Sequence, residues 1–287
     1  MQRRKRKAGP ILLMLPMAAW TVLFVGAALA YILILSFCQR APDGFGVVYR
    51  FTLENYAKLA NPIYEQVLWK SLALAFQTTL LCLLIGYPFG YMMARAKKGW
   101  RGALLLLVVV PFWTNALVRI YGWQILLMND GPVNKALMAL GLAKHPLKLL
   151  NTYGAVLLGM VYGLLPFMIL SVYSAVERMD WALVEAGRDM GARPWQVFCT
   201  VTLPLTAQGV MAGVVLTFVP SMALFFISDL LGGSNYMLVG NLVYNQLLKA
   251  RDWPFAAAIS VALMALTSLI LWAYRRMGGK AGNFVMF

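Results

Sequence analysis

The side chains that most often carry chemistry are sparse in this sequence. The chain has 287 residues with one histidine, His145, and three cysteines, Cys38, Cys82 and Cys199, which lie far apart and in no metal-ligand spacing. Neither a zinc site nor a disulfide framework can be built from them. The sequence also lacks G-x-x-x-x-G-K-S/T, the loop that cradles the phosphates of ATP. We therefore predict that the chain is not an enzyme and holds no metal or cofactor of its own.

Two ionisable residues, Arg119 and Asp229, lie inside long apolar stretches. A charged side chain is costly in a membrane and is usually functional there. The two could pair with each other, or Asp229 could face a substrate pathway or a partner subunit. Polar and aromatic residues lie near them in the sequence: Trp113, Asn115 and Tyr121 around Arg119, and Phe225 and Phe226 before Asp229. These seven residues are the candidate substrate pathway, although aromatic side chains at helical spacing are more often packing or interfacial anchors.

The elements that position these residues are expected to be membrane-spanning helices. Hydrophobic residues make up 61% of the chain and charged residues 12%, whereas soluble domains are about 45–50% apolar and about 25% charged. The mean hydropathy is +0.72. This composition excludes an ordinary water-soluble enzyme. It also excludes a disordered chain, which requires low hydrophobicity.

Six stretches are apolar enough to cross a bilayer core of about 30 Å, which takes roughly 20 helical residues. The first stretch is longer than the core of a signal peptide, about 7–15 residues, so we expect a retained helix. The predicted fold class is an all-α polytopic membrane protein with six transmembrane helices. The predicted spans are residues 11–37, 70–94, 103–128, 152–176, 209–231 and 255–274.

The distribution of basic residues predicts how these spans are oriented. The chain carries 25 Lys and Arg residues against 10 Asp and Glu, a net charge of +15. Most of the basic residues fall in segments that share one side of the membrane with the N-terminus, and the positive-inside rule assigns that side to the cytoplasm. The predicted organisation is a basic cytoplasmic tail (1–10), a transmembrane domain (11–275) and a second cytoplasmic tail (276–287).

Glycines and prolines inside the spans have structural explanations. Glycines four residues apart let two helices approach closely in a membrane. Prolines free backbone groups that need new partners, so that kinks could line a pathway or could serve packing alone. The glycine pairs are Gly86/Gly90, Gly159/Gly163 and Gly209/Gly213, and the prolines are Pro88, Pro111, Pro166 and Pro220.

The segment 177–208 is too polar to span a membrane, yet it is patterned as two short helices. Asp180 is a suitable N-cap for a helix that continues to about Met190, and Gly191 suits its C-terminal end. Pro194 then fits the first turn of a second helix. Four residues should form one apolar face: Leu183, Val184, Val197 and Phe198. The pattern predicts two amphipathic helices at a bend, forming a knob at the membrane surface.

The same segment resembles the EAA signature of ABC importer permeases, E-A-A-x3-G-x9-I-x-L-P. In this chain Gly187 stands in place of the second Ala, and Val201 in place of Ile. The resemblance implies that the helix pair docks in a groove of a separate cytoplasmic ATPase, which would bind ATP and Mg. The residues that carry this expected coupling role are Glu185, Ala186, Gly187, Gly191, Leu203 and Pro204.

Three further strings are similar to the permeases of spermidine/putrescine importers, in particular their B-type subunit. They are Val110–Gly122, Ser228–Gly233 and Arg251–Phe255. The resemblance implies a type I ABC importer permease fold, with a five-helix core formed by spans two to six and the first span outside it. It also implies an assembly in the bacterial inner membrane with a second, homologous permease, two copies of the ATPase and a periplasmic polyamine-binding protein, and no nucleic acid.

The leading hypothesis is therefore a permease subunit that passes polyamines into the cytoplasm by ATP-driven alternating access. Since the spans carry only one acidic residue, Asp229, we expect the second permease to supply most of the anionic contacts. Arg119 would suit an anion better, which keeps open an importer of another small solute, such as an oxyanion or ferric iron. A stand-alone secondary transporter commonly shows internal repeats or several membrane carboxylates, and the sequence has neither. A membrane scaffold without transport is the remaining alternative.

Overall fold

The computed structural model describes residues 8–42, 46–233 and 236–278. Residues 1–7 and 279–287, which hold most of the two predicted tails, lie outside the described residues. The described chain is almost wholly helical, so the predicted helical fold class is confirmed.

The described helices follow one another along the chain with short connections. They are α1 (Ala8–Thr21), α2 (Ala27–Ser36), α3 (Glu54–Leu59), α4 (Pro62–Arg95), α5 (Lys98–Val109), α6 (Ala116–Leu127), α7 (Pro132–Ala139), α8 (Tyr153–Glu177), α9 (Trp181–Asp189), α10 (Pro194–Val197), α11 (Leu203–Ala223), α12 (Phe225–Ile227), α13 (Val239–Tyr244) and α14 (Trp253–Gly278). Short π-helical or 3-10 segments extend or join them: Val22–Gly26, Val110–Trp113, Phe198–Thr202, Ser228–Gly232 and Asn245–Lys249. Strands β1 (Gln39–Arg40) and β2 (Val47–Val48) form one antiparallel pair.

The chain divides into two compact units, and the smaller one combines the two ends of the described chain, up to Glu65 and from Leu242. In it α2 packs against α14, and the ring of Tyr64 lies 5.0 Å from that of Phe255. The buried Asn55 amide donates hydrogen bonds to the carbonyl oxygens at the end of α2, at 3.1 and 2.8 Å. The first and last predicted spans are thus packed on each other.

The larger unit, residues 66–241, is organised around α8. One apolar cluster joins α8 to α4 and α11 and includes the fully buried Met168, Val172 and Val176. A second cluster joins the other half of α8 to α6 and to the segment that follows α11, through residues such as Met160 and Leu231. Helix α8 therefore contributes to both of these clusters.

Five of the six predicted spans correspond to helices that are long and apolar enough to cross a membrane within the described residues. They are Leu15–Ser36, Pro62–Arg95, Tyr153–Glu177, Pro194–Ala223 and Trp253–Trp272. The fourth of these begins earlier and ends earlier than the predicted span 209–231. It ends because the backbone leaves the helical conformation at Leu224 (φ −75°, ψ 65°), one turn after Pro220.

The third predicted span, 103–128, is a bent pair of helices within the described residues rather than one continuous helix. Lys98–Trp113 and Ala116–Ala139 meet at an angle of 90°. Pro111 has no backbone N–H and lies in the 3-10 turn at the break, while the Asn115 side chain accepts a hydrogen bond from the Leu117 N–H at 2.8 Å and starts the next helix. The other three prolines lie inside continuous helices.

The predicted glycine pairs lie at helix contacts, as their spacing indicated. A methyl group added at Gly90 of α4 would lie 2.9 Å from the Ile169 carbonyl oxygen, and one at Gly209 of α11 would lie 2.2 Å from Ala175 Cβ. A methyl group at Gly159 of α8 would meet Leu231 Cδ1 at 2.5 Å. Only glycine permits these approaches, so the pairs set how closely α4 and α11 pack on α8.

We predict that Gly209→Ala destabilises the protein, because the added methyl group must separate α11 from α8. Overpacking of this kind costs about 1–3 kcal/mol. Gly102→Ala is the matched control, since a methyl group there has no neighbour within 4 Å among the described residues and alanine is the better helix former. Thermal unfolding in detergent should show a lower midpoint for Gly209→Ala only. Equal midpoints would contradict the close packing.

Candidate functional site

The predicted bent helix pair is present in the segment 177–208. The Asp180 carboxylate caps α9 by accepting the Ala182 N–H at 3.0 Å. At the other end Gly191 has a φ of +78°, and the Gly191 and Ala192 N–H groups donate to carbonyl oxygens of the last turn at 2.8 and 3.3 Å. This is the Schellman arrangement that glycine favours. Pro194 begins α10, so the predicted caps and bend are confirmed.

A small apolar cluster holds the two helices together. Met179, Val184 and Val197 are its buried members. Gly187 of α9 is buried as well and lies against Val197, where an added methyl group would be 3.5 Å from the nearest Val197 carbon. The bend is therefore a packed knob with its own core. We call residues 180–204 the coupling knob below.

The predicted single apolar face of the knob is split between two sides, and in this respect the prediction is wrong. Val184 and Val197 point into the cluster, whereas Leu183 is 48% exposed. Leu183 and Val184 are consecutive in α9 and therefore lie about 100° apart around the helix, so only Val184 faces the cluster with Val197 of α10. Phe198 stacks on Trp195, and the two ring centroids are 5.6 Å apart.

The outer side of the coupling knob carries both large apolar and charged side chains. Trp195 is 71% exposed and Met190 is 83% exposed. Five of the six expected coupling residues are exposed too, and only Gly187 is buried: Glu185, Ala186, Gly191, Leu203 and Pro204. Exposed apolar side chains grouped with charges are typical of a protein-interaction surface. Sequence reasoning missed Trp195 as part of it, although an exposed tryptophan beside the signature was the signal.

Aromatic and ionic contacts tie the coupling knob to the helices of the larger unit. The Arg95 guanidinium lies over the rings of Tyr91 and Trp181, 5.8 and 5.7 Å from their centroids. Arg101, at the start of α5, pairs with Glu177 at the end of α8, with N and O 3.6 Å apart. The sequence analysis used these arginines only for orientation. Both also join the ends of neighbouring helices beside the knob.

A second candidate region is the segment after α11, which holds Asp229. Ile227 and Leu231, four residues apart, are buried against Gly159 of α8, whereas Asp229 between them is exposed. Its Oδ1 atom accepts a hydrogen bond from Nδ2 of Asn241 at 2.6 Å. Sequence reasoning missed Asn241, which is only 4% exposed. A polar amide in an apolar stretch was the available signal.

The two intramembrane charges do not pair with each other. Among the described residues no ion pair involves Asp229 or Arg119. The centre of the Arg119 guanidinium instead lies 4.4 Å from the centroid of the Phe112 ring and 5.8 Å from that of Tyr162. Its Nε and Nη1 atoms are buried and have no hydrogen-bond partner among the residues that the structure describes. The alternative in which these charges neutralise each other is therefore not realised.

The other predicted pathway residues have separate surroundings. Asn115 is occupied as a helix cap. Trp113 and Tyr121 are 78% and 50% exposed. Phe225 and Phe226 are half-buried beside the segment that carries Asp229, and Phe226 packs against the cluster at that end of α8. The structure thus groups the two phenylalanines with Asp229 in one short segment.

Residues 86–280 match the family described as the binding-protein-dependent transport system inner membrane component. The chain belongs to this family and is a multi-pass inner-membrane transport component. Its curated relatives include the spermidine/putrescine transport system permease protein PotB of Haemophilus influenzae, which is 45% identical over 90% of each chain. PotB of Escherichia coli is 44% identical over 90% of this chain and 93% of the relative.

The fold is also found in solved structures. A bacterial ABC transporter that imports the acidic polysaccharide alginate contains a chain with a TM-score of 0.74 to this one. The two are 18% identical, and the match covers 97% of this chain and 98% of the other. The likeness therefore shows that this chain has the fold of an ABC importer permease.

We predict opposite effects of alanine at the two knob glycines. Gly187→Ala adds an ordinary van der Waals contact and should stabilise α9 by up to about 1 kcal/mol. Gly191→Ala places a side chain at positive φ and should destabilise the bend by about 1–2 kcal/mol. Hydrogen exchange of the α9 amides should be slower in the first variant and faster in the second. Similar exchange in both would contradict the assigned backbone geometry.

Proposed function

We propose that the chain is the membrane-spanning subunit of an ATP-driven importer that carries polyamines, such as spermidine and putrescine, into the cytoplasm. The coupling knob carries this proposal, because it exposes the expected contact residues of a permease that is driven by a separate ATPase. The substrate class is supported by the names of two relatives that are 44–45% identical over most of their length. Both termini are then cytoplasmic, as the basic residues indicate.

The partners follow from what the chain does not itself supply. A separate ATPase, present in two copies, binds ATP and Mg and receives the coupling knob. A second, homologous permease completes the pathway, and a periplasmic polyamine-binding protein delivers the substrate. The chain contributes translocation and no catalysis.

Force from the ATPase would enter through the exposed side of the coupling knob. Because the knob has its own buried core, it would move as one body rather than deform. The stack of Trp181, Arg95 and Tyr91 and the pair Arg101–Glu177 would pass that movement to α4, α5 and α8. Alternating access then follows from movement of these helices.

Asp229 is the proposed contact of this chain for a cationic substrate. Its carboxylate is exposed and has no internal counter-ion within the described residues. A protonated amine would satisfy it by a charge-assisted hydrogen bond. A polyamine carries several protonated amines, and a single carboxylate can pair with only one of them. The second permease would therefore supply further anionic groups.

An importer of an anionic solute is the second candidate. The observation that favours it concerns two nitrogen atoms of Arg119, Nε and Nη1, which have no hydrogen-bond partner among the described residues. An oxyanion could accept hydrogen bonds from both. Both atoms are covered, however, and the guanidinium lies on the Phe112 ring. An anion could reach them only after the aromatic contact opens, so we favour the cationic substrate.

The test is uptake into proteoliposomes that contain the two permeases and the ATPase, with the binding protein outside and ATP inside. We expect accumulation of labelled spermidine only when ATP, the ATPase and the binding protein are all present. Uptake driven by an ion gradient without the ATPase would instead indicate a secondary transporter. ATP-driven uptake of molybdate or ferric iron and not of spermidine would favour the alternative solutes.

Trp195→Ala should weaken the ATPase contact, since an exposed tryptophan at an interface commonly contributes about 2 kcal/mol or more to binding. We expect at least about a tenfold loss of ATPase that co-purifies with the permeases, with a matching loss of uptake. Trp100→Ala is the control, because Trp100 is 66% exposed but lies on α5, outside the coupling knob. Equal losses in both variants would argue against the knob as the docking surface.

Asp229→Asn should impair spermidine uptake without preventing assembly. The amide keeps the shape of the side chain but removes the charge, and a hydrogen bond to a charged group contributes about 1.5–3 kcal/mol. An uptake rate lower by about tenfold or more is expected, with unchanged recovery of the complex. Uptake at the wild-type rate would refute a role in the pathway.

A further inference from the structure

We infer that Asn241 is a positioning residue that holds the Asp229 carboxylate so that its second oxygen, Oδ2, is presented to an ammonium group of the substrate. The inference rests on the proposed function, since it needs a cationic substrate. Beyond the proposed function, it assigns a role to Asn241, which would act through Asp229 and would not itself contact the substrate. Three observations carry it: the bonds of the Asn241 amide, the anchoring of both backbone segments, and the absence of a counter-ion at Asp229 within the described residues.

Both N–H donors of the Asn241 amide and one lone pair of its oxygen are used in local hydrogen bonds. Its Nδ2 atom donates to Asp229 Oδ1 at 2.6 Å and to the Phe225 carbonyl oxygen at 3.2 Å. Its Oδ1 atom accepts the Leu238 N–H at 3.1 Å. The side chain is 4% exposed, so it has little room to turn. Only one of the two Asp229 oxygens is engaged by it.

Both backbone segments that meet here are fixed to the larger unit. The Val239 N–H donates to Ser71 Oγ of α4 at 2.9 Å, and Ser71 is buried. The Leu231 carbonyl oxygen accepts the Asn151 N–H at 2.9 Å. Leu231 itself is fully buried in the packing against α8. The distance between Asn241 and Asp229 is therefore set by α4 and α8 rather than by a free loop.

The identity of the donor matters as much as its position. A lysine or arginine at this place would also orient the carboxylate, but it would neutralise the charge and compete with a cationic substrate. A neutral amide donor fixes the rotamer and leaves the negative charge available. Ordering the carboxylate in advance also lowers the entropy lost when the substrate binds.

The experiment is a double-mutant cycle between Asn241→Ala and Asp229→Asn in the assembled transporter, read as ATP-driven spermidine uptake into proteoliposomes. Asn241→Ala alone should lower the uptake rate by about tenfold, comparable to Asp229→Asn. In the Asp229→Asn background it should cause no further loss, because there is no charge left to position.

Asn134→Ala is the matched control. Asn134 is a fully buried amide that, like Asn241, makes three hydrogen bonds, at 2.9 to 3.2 Å, but all three are to backbone atoms, and none of its hydrogen bonds within the described residues is to a carboxylate. Its loss should lower the thermal midpoint about as much as the loss of Asn241. It should change uptake by the same factor with and without Asp229→Asn.

Two results would overturn the inference. One is an Asn241→Ala transporter with wild-type uptake, and the other is an equal fractional loss in both Asp229 backgrounds, which would indicate only a structural role. A wild-type complex that takes up no spermidine would overturn the proposed function instead. The two failures are therefore distinguishable within one set of measurements.

Discussion

Close backbone packing around α8 is the constraint on which the larger unit depends. In a membrane, helices gain little from burying apolar surface against one another, so tight van der Waals contact must hold them. Gly90 of α4 meets the α8 backbone from one side, and Gly209 of α11 meets it from the other, at Ala175. Helix α8 ends at Glu177 and α11 begins at Leu203, so the coupling knob connects these two helices. Gly209 sets how closely they pack. A movement of the knob must therefore be a movement of the helices.

The opposite end of α8 positions Asp229 by the same kind of contact. Gly159 leaves space for the side chains of Ile227 and Leu231. Because these two side chains face α8, the side chain of Asp229 between them is exposed. Irregular backbone at membrane depth needs internal partners for its polar groups. Asn241 and Ser71 provide such partners for the chain after α11. The coupling knob and the Asp229 segment thus belong to one packed unit and share one central helix.

The features that the sequence predicted well have local causes. Span lengths follow from apolar runs, and the ends of α9 follow from Asp180 and Gly191, whose preferences act within one turn. The features it missed depend on residues far apart in the chain. The 90° angle of the break near Pro111 required knowing that Asn115 starts a new helix. That Val184 faces the cluster and Leu183 does not depends on where α10 packs. Asn241 can be recognised only from the structure, because the fold brings its amide within hydrogen-bond distance of Asp229, twelve residues earlier.

The two intramembrane charges have separate partners, and neither partner is an opposite charge among the described residues. Aromatic faces attract a guanidinium through their quadrupoles, and Arg119 lies on the rings of Phe112 and Tyr162 rather than against a carboxylate. Two of its nitrogen atoms have no acceptor in the described part of the chain, at a cost that an ion pair with Asp229 would remove. Such a pair would, however, consume the acidic group that these spans provide. Holding the arginine on aromatic rings and the aspartate on an amide leaves the Asp229 carboxylate without an ionic partner among the described residues, which is the state that the proposed cationic substrate requires.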